Sequence, residues 1–290
     1  MHDLNFVRPM RLREIFANAL TLYARHFKTF IAITLLYLAF QYILQGIIRW
    51  KLSDAAQGTA YIIIQPLLSL AYAATVIAAS NAVLGRPVRV IQAYRRVIVP
   101  RILLIMLIFS LPFQIISYAY ERYHQANFSS GGPVNLLGTW FDNLIFPALV
   151  VALHTLLLFR APVTVLEKRG TRDTIQRVLR LFVENIDRKT LTVGFAWRFM
   201  LFILMVNVPF VIVTVPALLY VMITGQQLSE FSIWLGFQVL TAVLDLFASP
   251  YGLLLSILLY YDIRARKEAY NALALAEEMG YQPITEMIAV

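Results

Sequence analysis

Long apolar runs alternate with shorter basic segments along the whole chain. The apolar runs cover roughly residues 29–48, 59–84, 102–120, 140–158, 191–224 and 231–262. Each run is long enough to cross about 30 Å of hydrocarbon at about 1.5 Å per residue. The pattern predicts an all-α integral membrane protein with six transmembrane helices arranged as three hairpins.

The segment before each predicted hairpin is basic and amphipathic. In residues 171–189 an apolar stripe recurs at helical spacing, formed by Ile175, Val178, Leu179, Phe182 and Ile186. Basic residues beside an apolar stripe suit anionic lipid head groups, although an ordinary surface helix of a soluble protein gives the same pattern. We therefore expect a basic in-plane helix before each hairpin. Lipid head-group or partner contacts are predicted for Arg11, Arg13, Arg89, Arg95, Arg96, Arg172, Arg177, Arg180, Arg198 and His154.

A proline near the start of each basic segment indicates an internal repeat. Pro9, Pro87 and Pro162 head the three segments, and Arg160 to Pro162 is predicted to be a turn. Repeat units of about residues 8–84, 86–160 and 161–262 follow, with a cytoplasmic helical tail over residues 263–290 that continues at least to Met279 and ends at Gly280. The alternative is that any six-span protein with basic inner loops shows this pattern.

Composition and charge agree with a membrane location. Hydrophobic residues make up 60% of the chain and charged residues 14%, well below the roughly 25% charged residues of soluble domains. Most of the 25 Lys and Arg residues fall in segments on one side of the predicted spans, which places both termini in the cytoplasm. We expect a multi-pass protein of a bacterial cytoplasmic (inner) membrane, and the basic pI of about 9.8 needs no nucleic acid to explain it.

Three polar residues fall inside the last two predicted spans. Asp245 lies roughly 25 Å from the inner end of the sixth span, Asn207 lies at a similar depth in the fifth, and Gln238 precedes Asp245 on the same helix face. One interpretation is an Asp245–Asn207 hydrogen bond that holds the last two spans together. The other is a proton or ion site, because ionisable groups inside a membrane are candidates for function.

The sequence offers little for catalysis. It contains no cysteine, and no phosphate-binding glycine loop, Ser-His-Asp set, His-Glu-x-x-His motif or paired-carboxylate motif occurs. We therefore expect no enzymatic activity, no metal and no cofactor. Tyr260 and Tyr261, at the end of the last span, are predicted to be aromatic residues of the membrane interface.

Three short motifs are similar to a known family. They are Arg8-Pro9-Met10, Gly85-Arg86-Pro87-Val88 and, most specifically, the run that contains Tyr260, Tyr261, Asp262, Arg264, Arg266, Lys267 and Glu268. Together they resemble the membrane domain associated with some bacterial glycerophosphoryl diester phosphodiesterases. The resemblance covers nearly the whole chain and implies a six-helix membrane domain. The family's activity belongs to a separate soluble barrel domain, which we do not expect in this chain.

Two functional hypotheses follow. The first is a non-catalytic scaffold or accessory subunit of a membrane complex, whose basic in-plane helices contact phospholipids and another membrane protein or a second copy of the chain. The alternative is a transporter or lipid-handling protein with a polar intramembrane site near Asp245. A nucleic-acid partner is not expected, because the basic residues flank the spans and form no single groove with stacking aromatics.

Overall fold

A computed structural model describes residues 6–51, 54–128, 159–183 and 230–281. In these residues the chain is helical outside its turns and contains no strand. The helices are α1 (Leu12–Arg25), α2 (Phe27–Lys51), α3 (Asp54–Val83), α4 (Val90–Val97), α5 (Pro100–Phe128), α6 (Arg160–Leu166), α7 (Thr171–Val183), α8 (Glu230–Glu268) and α9 (Ala272–Glu278). The fourth and fifth predicted spans lie outside the described residues.

Helices α1 and α2 follow each other with only a local bend at His26. The His26 N–H donates to the carbonyl of Leu22 at 3.1 Å, and the Phe30 N–H donates to the carbonyl of His26 at 3.1 Å. Helical hydrogen bonding therefore continues on both sides of the bend. The bend itself comes from the non-helical φ of −116° and ψ of 24° at His26.

Helix α1 runs antiparallel along α8. Near its start, the Met10 N–H donates to the carboxylate of Asp262 at 2.6 Å. Near its end, the hydroxyl of Tyr23 donates to the carbonyl of Phe247 at 3.0 Å. Two contacts about 20 Å apart along both helices fix their relative direction. Helix α1 therefore lies along α8, and the in-plane orientation predicted for this first basic helix stays a prediction.

The second half of α3 forms the centre of the core. It packs against α2, α4, α5 and α8, and also against α6. Its buried residues are mostly small, and they include Ala73, Ala74, Ala78, Ala79 and Ala82. Small side chains let neighbouring helices approach closely, so α3 can be surrounded on most sides.

The start of the second basic segment matches that of the first. Helix α4 begins at Val90, three residues after Pro87, just as α1 begins at Leu12, three residues after Pro9. The third segment differs from the other two. Its first residues, Arg160 to Pro162, were predicted to be a turn, but they form the start of the short helix α6. Proline is tolerated in the first turn of a helix, where its missing N–H has no partner.

Helix α7 buries a face that overlaps the predicted stripe. Val178 is buried and Ile175 packs against the core, whereas Leu179 is 44% exposed. Thr174 and Leu181, which were not included in the predicted stripe, are also buried. The hydroxyl of Thr174 donates to the carbonyl of Gly170 at 2.8 Å, so this buried polar group has a partner.

The predicted continuous helix in the tail is broken. Helix α8 ends at Glu268, and Ala269 has the left-handed φ of 51°. This turn sends the chain back, and α9 ends before Gly280, which has a φ of 75°. The glycine was correctly predicted to end the tail helix, because it adopts this conformation without steric cost.

Two stretches of the described helices are long and apolar enough to cross a membrane. They are Phe27–Leu44 in α2 and Asp245–Glu268 in α8. Only 22% of the first stretch is buried, compared with 67% of the second. The first therefore faces outward along most of its length, whereas the second is mainly a core segment.

Large apolar side chains are exposed at one end of the bundle, which we call the apolar belt. In α2 and α8 these are Leu35, Leu36, Phe40, Ile43, Ile47, Val239, Val243 and Phe247, and in α5 they are Leu104 and Ile115. The rings of Phe27 and Phe247 stack with centroids 6.3 Å apart, which aligns α2 and α8 at the inner edge of the belt. Beyond that edge, α8 is covered by α1.

Candidate functional site: a charged network at the end of α8

The start of the described chain is attached to the end of α8 by a small clamp. Asp262, which is 1% exposed, accepts the Met10 N–H at 2.6 Å and Nε of Arg266 at 2.9 Å. Arg266 also donates through Nη2 to the carbonyl of Met10 at 2.6 Å. The two motifs singled out in the sequence, Arg8-Pro9-Met10 and the run after Tyr260, therefore meet in space.

Both tyrosines at this end are buried, so their predicted place at the membrane interface is wrong. Tyr261 shares a hydrogen bond of 2.7 Å with the hydroxyl of Ser80 in α3. The hydroxyl of Tyr260 donates to Oε1 of Glu167 at 2.9 Å and accepts from Nη1 of Arg264 at 3.0 Å. Each phenol meets a polar partner inside the core, which offsets the loss of water.

The side chains around Tyr260 form a network of ion pairs, which we call the charged network. Its carboxylates are Glu167, Glu268 and Glu278, and its arginines are Arg169, Arg177 and Arg264. Glu167 lies 3.0 Å from Nε of Arg177 and 2.7 Å from Nε of Arg169. Arg177 also pairs with Glu268. The network therefore joins α7 and the loop before it to the end of α8.

Arg264 connects the end of α8 with the tail. Its Nε lies 2.8 Å from Glu268, and its Nη1 lies 2.8 Å from Glu278 in α9. Its guanidinium also lies over the ring of Tyr270, with Cζ 3.7 Å from the ring centroid. The Tyr270 hydroxyl donates to Glu278 at 2.6 Å. The tail is thus fastened by charge-assisted hydrogen bonds and by a cation–π contact.

A further contact holds the end of the tail on α3. The hydroxyl of Tyr281 donates to the side-chain oxygen of Asn81 at 2.8 Å. The guanidinium of Arg86 lies over the Tyr281 ring, with Cζ 3.5 Å from the centroid, and that of Arg96 lies 5.3 Å away. Arg96 was predicted to contact lipid head groups or a partner, and in the structure it faces the tail of its own chain.

The electrostatics of the network favour its ionised form. Burial opposes the charge of Arg177, but its hydrogen bonds and the charges of Glu268 and Glu167 hold its pKa above the ordinary value. Burial, together with the nearby Tyr261 and the charge of Glu278, raises the pKa of Tyr270, so this phenol stays protonated and can donate. Each carboxylate of the network has an arginine partner, an arrangement that suits a structural joint.

Several residues of this site were not predicted. Glu167 and Ser80 bind the tyrosines although they are 93 and 181 positions away in sequence. Glu278 binds Arg264 from 14 positions away, across the turn that separates α8 from α9. One signal was available locally, because Asp262–Arg266 and Arg264–Glu268 are acid–base pairs at a spacing of four residues. Such pairs predict that a helix continues through the segment.

Most of the predicted contact arginines are exposed. Arg11 and Arg13 are exposed at the start of α1, Arg89 and Arg95 flank or lie in α4, and Arg172 and Arg180 lie in α7. In the described part of the chain, Arg13, Arg89, Arg95, Arg172 and Arg180 form no ion pair with a carboxylate. Their charges are therefore available to groups outside the described residues.

A polar groove adjoins the charged network on the surface of α7. It has a volume of about 270 Å³, and its lining residues are Arg169, Asp173, Gln176, Arg177 and Arg180. Arg169 and Arg177 already pair with Glu167. Arg180 supplies the positive charge that no carboxylate in the described residues neutralises.

Asp245 lies at the inner edge of the apolar belt. It is half-buried and accepts a hydrogen bond from the hydroxyl of Ser249 at 3.2 Å. Its predicted depth was measured from Asp262, but α1 covers α8 between Phe247 and Asp262. The stretch of α8 from which that depth was counted therefore packs against α1, and the depth of Asp245 in a membrane stays a prediction.

The remaining predicted site residues cannot be placed. Asn207, Arg198 and His154 lie outside the described residues, as does the side chain of Gln238. The predicted Asp245–Asn207 hydrogen bond stays a prediction. Among the residues that the structure describes, no group of three His, Asp or Glu side chains could hold a metal ion.

Comparisons with known proteins add no relative. No protein-family model, no curated protein and no solved structure matches the chain.

Proposed function

We propose that the chain is an integral membrane protein that acts as a non-catalytic scaffold or accessory subunit of a membrane complex. The observation that carries this proposal is the separation of two surfaces on one bundle. Most of the exposed large apolar side chains lie in the apolar belt. Exposed arginines without a carboxylate partner lie at the other end, on α1, α4 and α7, beside a smaller number of exposed apolar side chains such as Leu20, Ile91 and Leu179. Lipid tails suit the first surface and head groups or an acidic partner suit the second.

The inner edge of the membrane is proposed to lie near Phe27 and Phe247. Outward of this level, α2 exposes Leu35, Leu36 and Phe40. Inward of it, α1 exposes charged residues at both ends, including Arg13 and Arg25. In this arrangement the buried end of α8 is the core of a cytoplasmic layer, and it is not a lipid-facing span.

Helix α4 fits the membrane boundary. Ile91 is 83% exposed, Ile98 and Val99 are also exposed, and Arg89 and Arg95 are exposed beside them. Large apolar side chains that point outward next to arginines are typical of a helix lying in the head-group region. The proposal therefore includes an in-plane orientation for α4, at the membrane surface.

The charged network supports a scaffold. Its acids and arginines are mutually paired, and they fasten α7, α8 and α9 into one unit. A catalytic site needs a group left free to exchange protons or bind substrate, and this network holds its charges in fixed pairs. The proposal also includes the similarity to the membrane domain associated with some bacterial phosphodiesterases. It further places the chain in a bacterial cytoplasmic membrane, with both termini on the cytoplasmic side.

Native extraction from the membrane into lipid nanodiscs, followed by mass spectrometry, tests this proposal. A stoichiometric protein partner is expected, and it should be lost in the double variant Arg172→Glu with Arg180→Glu, which reverses exposed charges on α7. Glu277→Gln, on the exposed face of α9, is the matched control. A lone protomer that carries a specific solute, with no partner in any preparation, would contradict the scaffold and favour a transporter or lipid-handling protein.

A further inference from the structure

Arg160 differs from the other half-buried arginines of the described chain. Its Nη2 donates to the hydroxyl of Ser69 at 3.4 Å, and its Cζ lies 5.9 Å from the centroid of the Tyr72 ring. No carboxylate of the described residues lies within 4.0 Å of it. A guanidinium has five N–H donors, so one long hydrogen bond leaves most of its donors without an acceptor among the described residues.

The comparison with Arg177 and Arg264 makes this arrangement informative. Those two arginines are also half-buried or buried, and each is paired with two glutamates. A charged group removed from water without a partner is costly, and natural proteins rarely keep one. Because no described carboxylate is paired with Arg160, an anion supplied from outside the chain could take this place.

The level of Arg160 in the bundle identifies the source of that anion. The contact between Ser80 and Tyr261 aligns α3 with α8. From these two residues, Ser69 lies about 16 Å along α3 and Phe247 lies about 21 Å along α8 at about 1.5 Å per residue. Ser69 and the inner edge of the apolar belt are therefore within about 5 Å of the same level. This is the level at which phospholipid phosphates of the inner leaflet would lie.

We infer that Arg160, with Ser69 and Tyr72, binds the phosphate group of a phospholipid from the inner leaflet. The planar guanidinium matches two phosphate oxygens at once. The hydroxyl of Ser69 can donate a further hydrogen bond, and the Tyr72 ring face supports the cation from the side. The acyl chains would then extend outward along the apolar belt. The inference rests on the membrane location proposed above.

Retention of phosphatidylglycerol tests the site. The full-length protein is extracted into nanodiscs that contain phosphatidylglycerol, released in mild detergent and examined by native mass spectrometry. Arg160→Met keeps the length of the side chain but removes its charge, and it should retain about tenfold less bound lipid, since hydrogen bonds to charged groups contribute about that much to affinity. Lys168→Met, which removes an exposed cation from the loop after α6, should retain as much lipid as the natural protein.

Two further variants keep the test informative if Arg160→Met does not fold. Arg160→Lys preserves the charge but not the paired donors, and Ser69→Ala removes only the hydroxyl. Both should lower lipid retention without changing the unfolding temperature by more than a few degrees. Equal retention in folded Arg160→Met, Arg160→Lys and the natural protein would overturn the inference.

A second arm distinguishes the two possible sources of phosphate. Inorganic phosphate is titrated into the lipid-depleted protein in detergent, and binding that depends on Arg160 there would assign the site to a soluble phosphate and overturn the lipid assignment. The membrane location is tested separately by washing membranes with alkaline carbonate. Release of the chain by that wash defeats the proposed function, whereas unchanged lipid retention in a chain that stays in the membrane defeats only this site.

Discussion

The carboxylate of Asp262 accepts the backbone N–H of Met10 at 2.6 Å, although the two residues are 252 positions apart in sequence. This hydrogen bond is buried. Arg266 contacts both of its residues, because it donates one hydrogen bond to Asp262 and another to the carbonyl of Met10. The segment before α1 and the end of α8 are thereby joined through backbone and side-chain groups at once. This joint fixes α1 along α8 and sets the position of everything that follows α1.

Removing the carboxylate should release this joint. Asp262→Ala is expected to lower the free energy of unfolding by about 2 kcal/mol, because the buried Met10 N–H then has no acceptor. Denaturant unfolding of the purified protein in detergent measures the change. Glu277→Ala, an exposed acid without an ion pair in the described chain, should stay within about 0.5 kcal/mol. Equal effects of the two substitutions would show that the joint does not stabilise the fold.

The two neighbouring tyrosines should differ in the cost of losing their hydroxyls. Tyr260→Phe leaves Glu167 and Arg264 each without one hydrogen bond, and both are charged. Tyr261→Phe removes only a bond to Ser80, whose hydroxyl still has the carbonyl of Val76 as a partner. We expect losses of about 2 and about 1 kcal/mol respectively, because hydrogen bonds to charged groups contribute more.

A double-mutant cycle checks this assignment. Tyr261→Phe combined with Ser80→Ala should cost less than the sum of the two single substitutions, because both remove the same bond. Strict additivity of the pair, measured by denaturant unfolding, would mean that the Ser80–Tyr261 contact contributes nothing of its own.

The tail should be held mainly by Glu278. Glu278→Gln weakens its pairing with Arg264 and its bond to Tyr270, which together fasten α9 to the end of α8. Backbone hydrogen exchange in residues 272–278 should become at least about tenfold faster, since a local opening free energy lower by about 1.4 kcal/mol has this effect. Exchange in residues 254–265 should not change. Protection that is the same in Glu278→Gln and in the control Glu277→Gln would show that other contacts hold the tail.

Helix positions were largely predictable, whereas helix partners were not. The start of α4 at Val90 and the end of the tail before Gly280 follow from local signals, namely a preceding proline and a residue that favours positive φ. The orientation of α1 along α8 does not follow from local signals. Its apolar stripe shows that one face is covered, but a membrane surface and a neighbouring helix such as α8 cover a stripe equally well.

The burial of Tyr260 and Tyr261 was unpredictable for a related reason. Aromatic residues beside charges at the end of an apolar run are typical of a membrane interface. Their true environment depends on Glu167 and Ser80, which are brought close only by the packing of α3, α6 and α8. Long-range partners of this kind leave no periodic signal in one sequence.

Alkaline pH should reveal the buried hydroxyl of Tyr94. This phenol donates to the carbonyl of Ile33 at 2.9 Å, and burial raises the pKa of Tyr94 from 10.0 to about 12. The folded protein then holds a proton that the unfolded chain releases, so this contribution to stability is full below pH 10.0 and is lost as the pH rises toward about 12. The loss measured by unfolding across this window should be smaller in Tyr94→Phe.

The comparison with Tyr94→Phe isolates this one ionisation, because the variant keeps the ring and removes only the hydroxyl. If Tyr94→Phe leaves the alkaline slope unchanged, the ionisation of Tyr94 is not coupled to folding.

Asp245 is the residue whose substitution best separates the two functional hypotheses. In Asp245→Asn the side-chain oxygen can still accept the hydroxyl of Ser249, which bonds to Asp245 at 3.2 Å. The substitution removes only a charge at the inner edge of the apolar belt, where a neutral amide costs less to bury. Stability should therefore stay the same or rise by less than about 1 kcal/mol, and a scaffold should keep its partner in nanodisc extraction followed by mass spectrometry. Asp245→Leu, which also removes the acceptor, is the companion variant.

If Asp245→Asn folds normally but abolishes a proton-driven or lipid-moving activity in reconstituted vesicles, the charge itself is required and the transporter hypothesis replaces the scaffold.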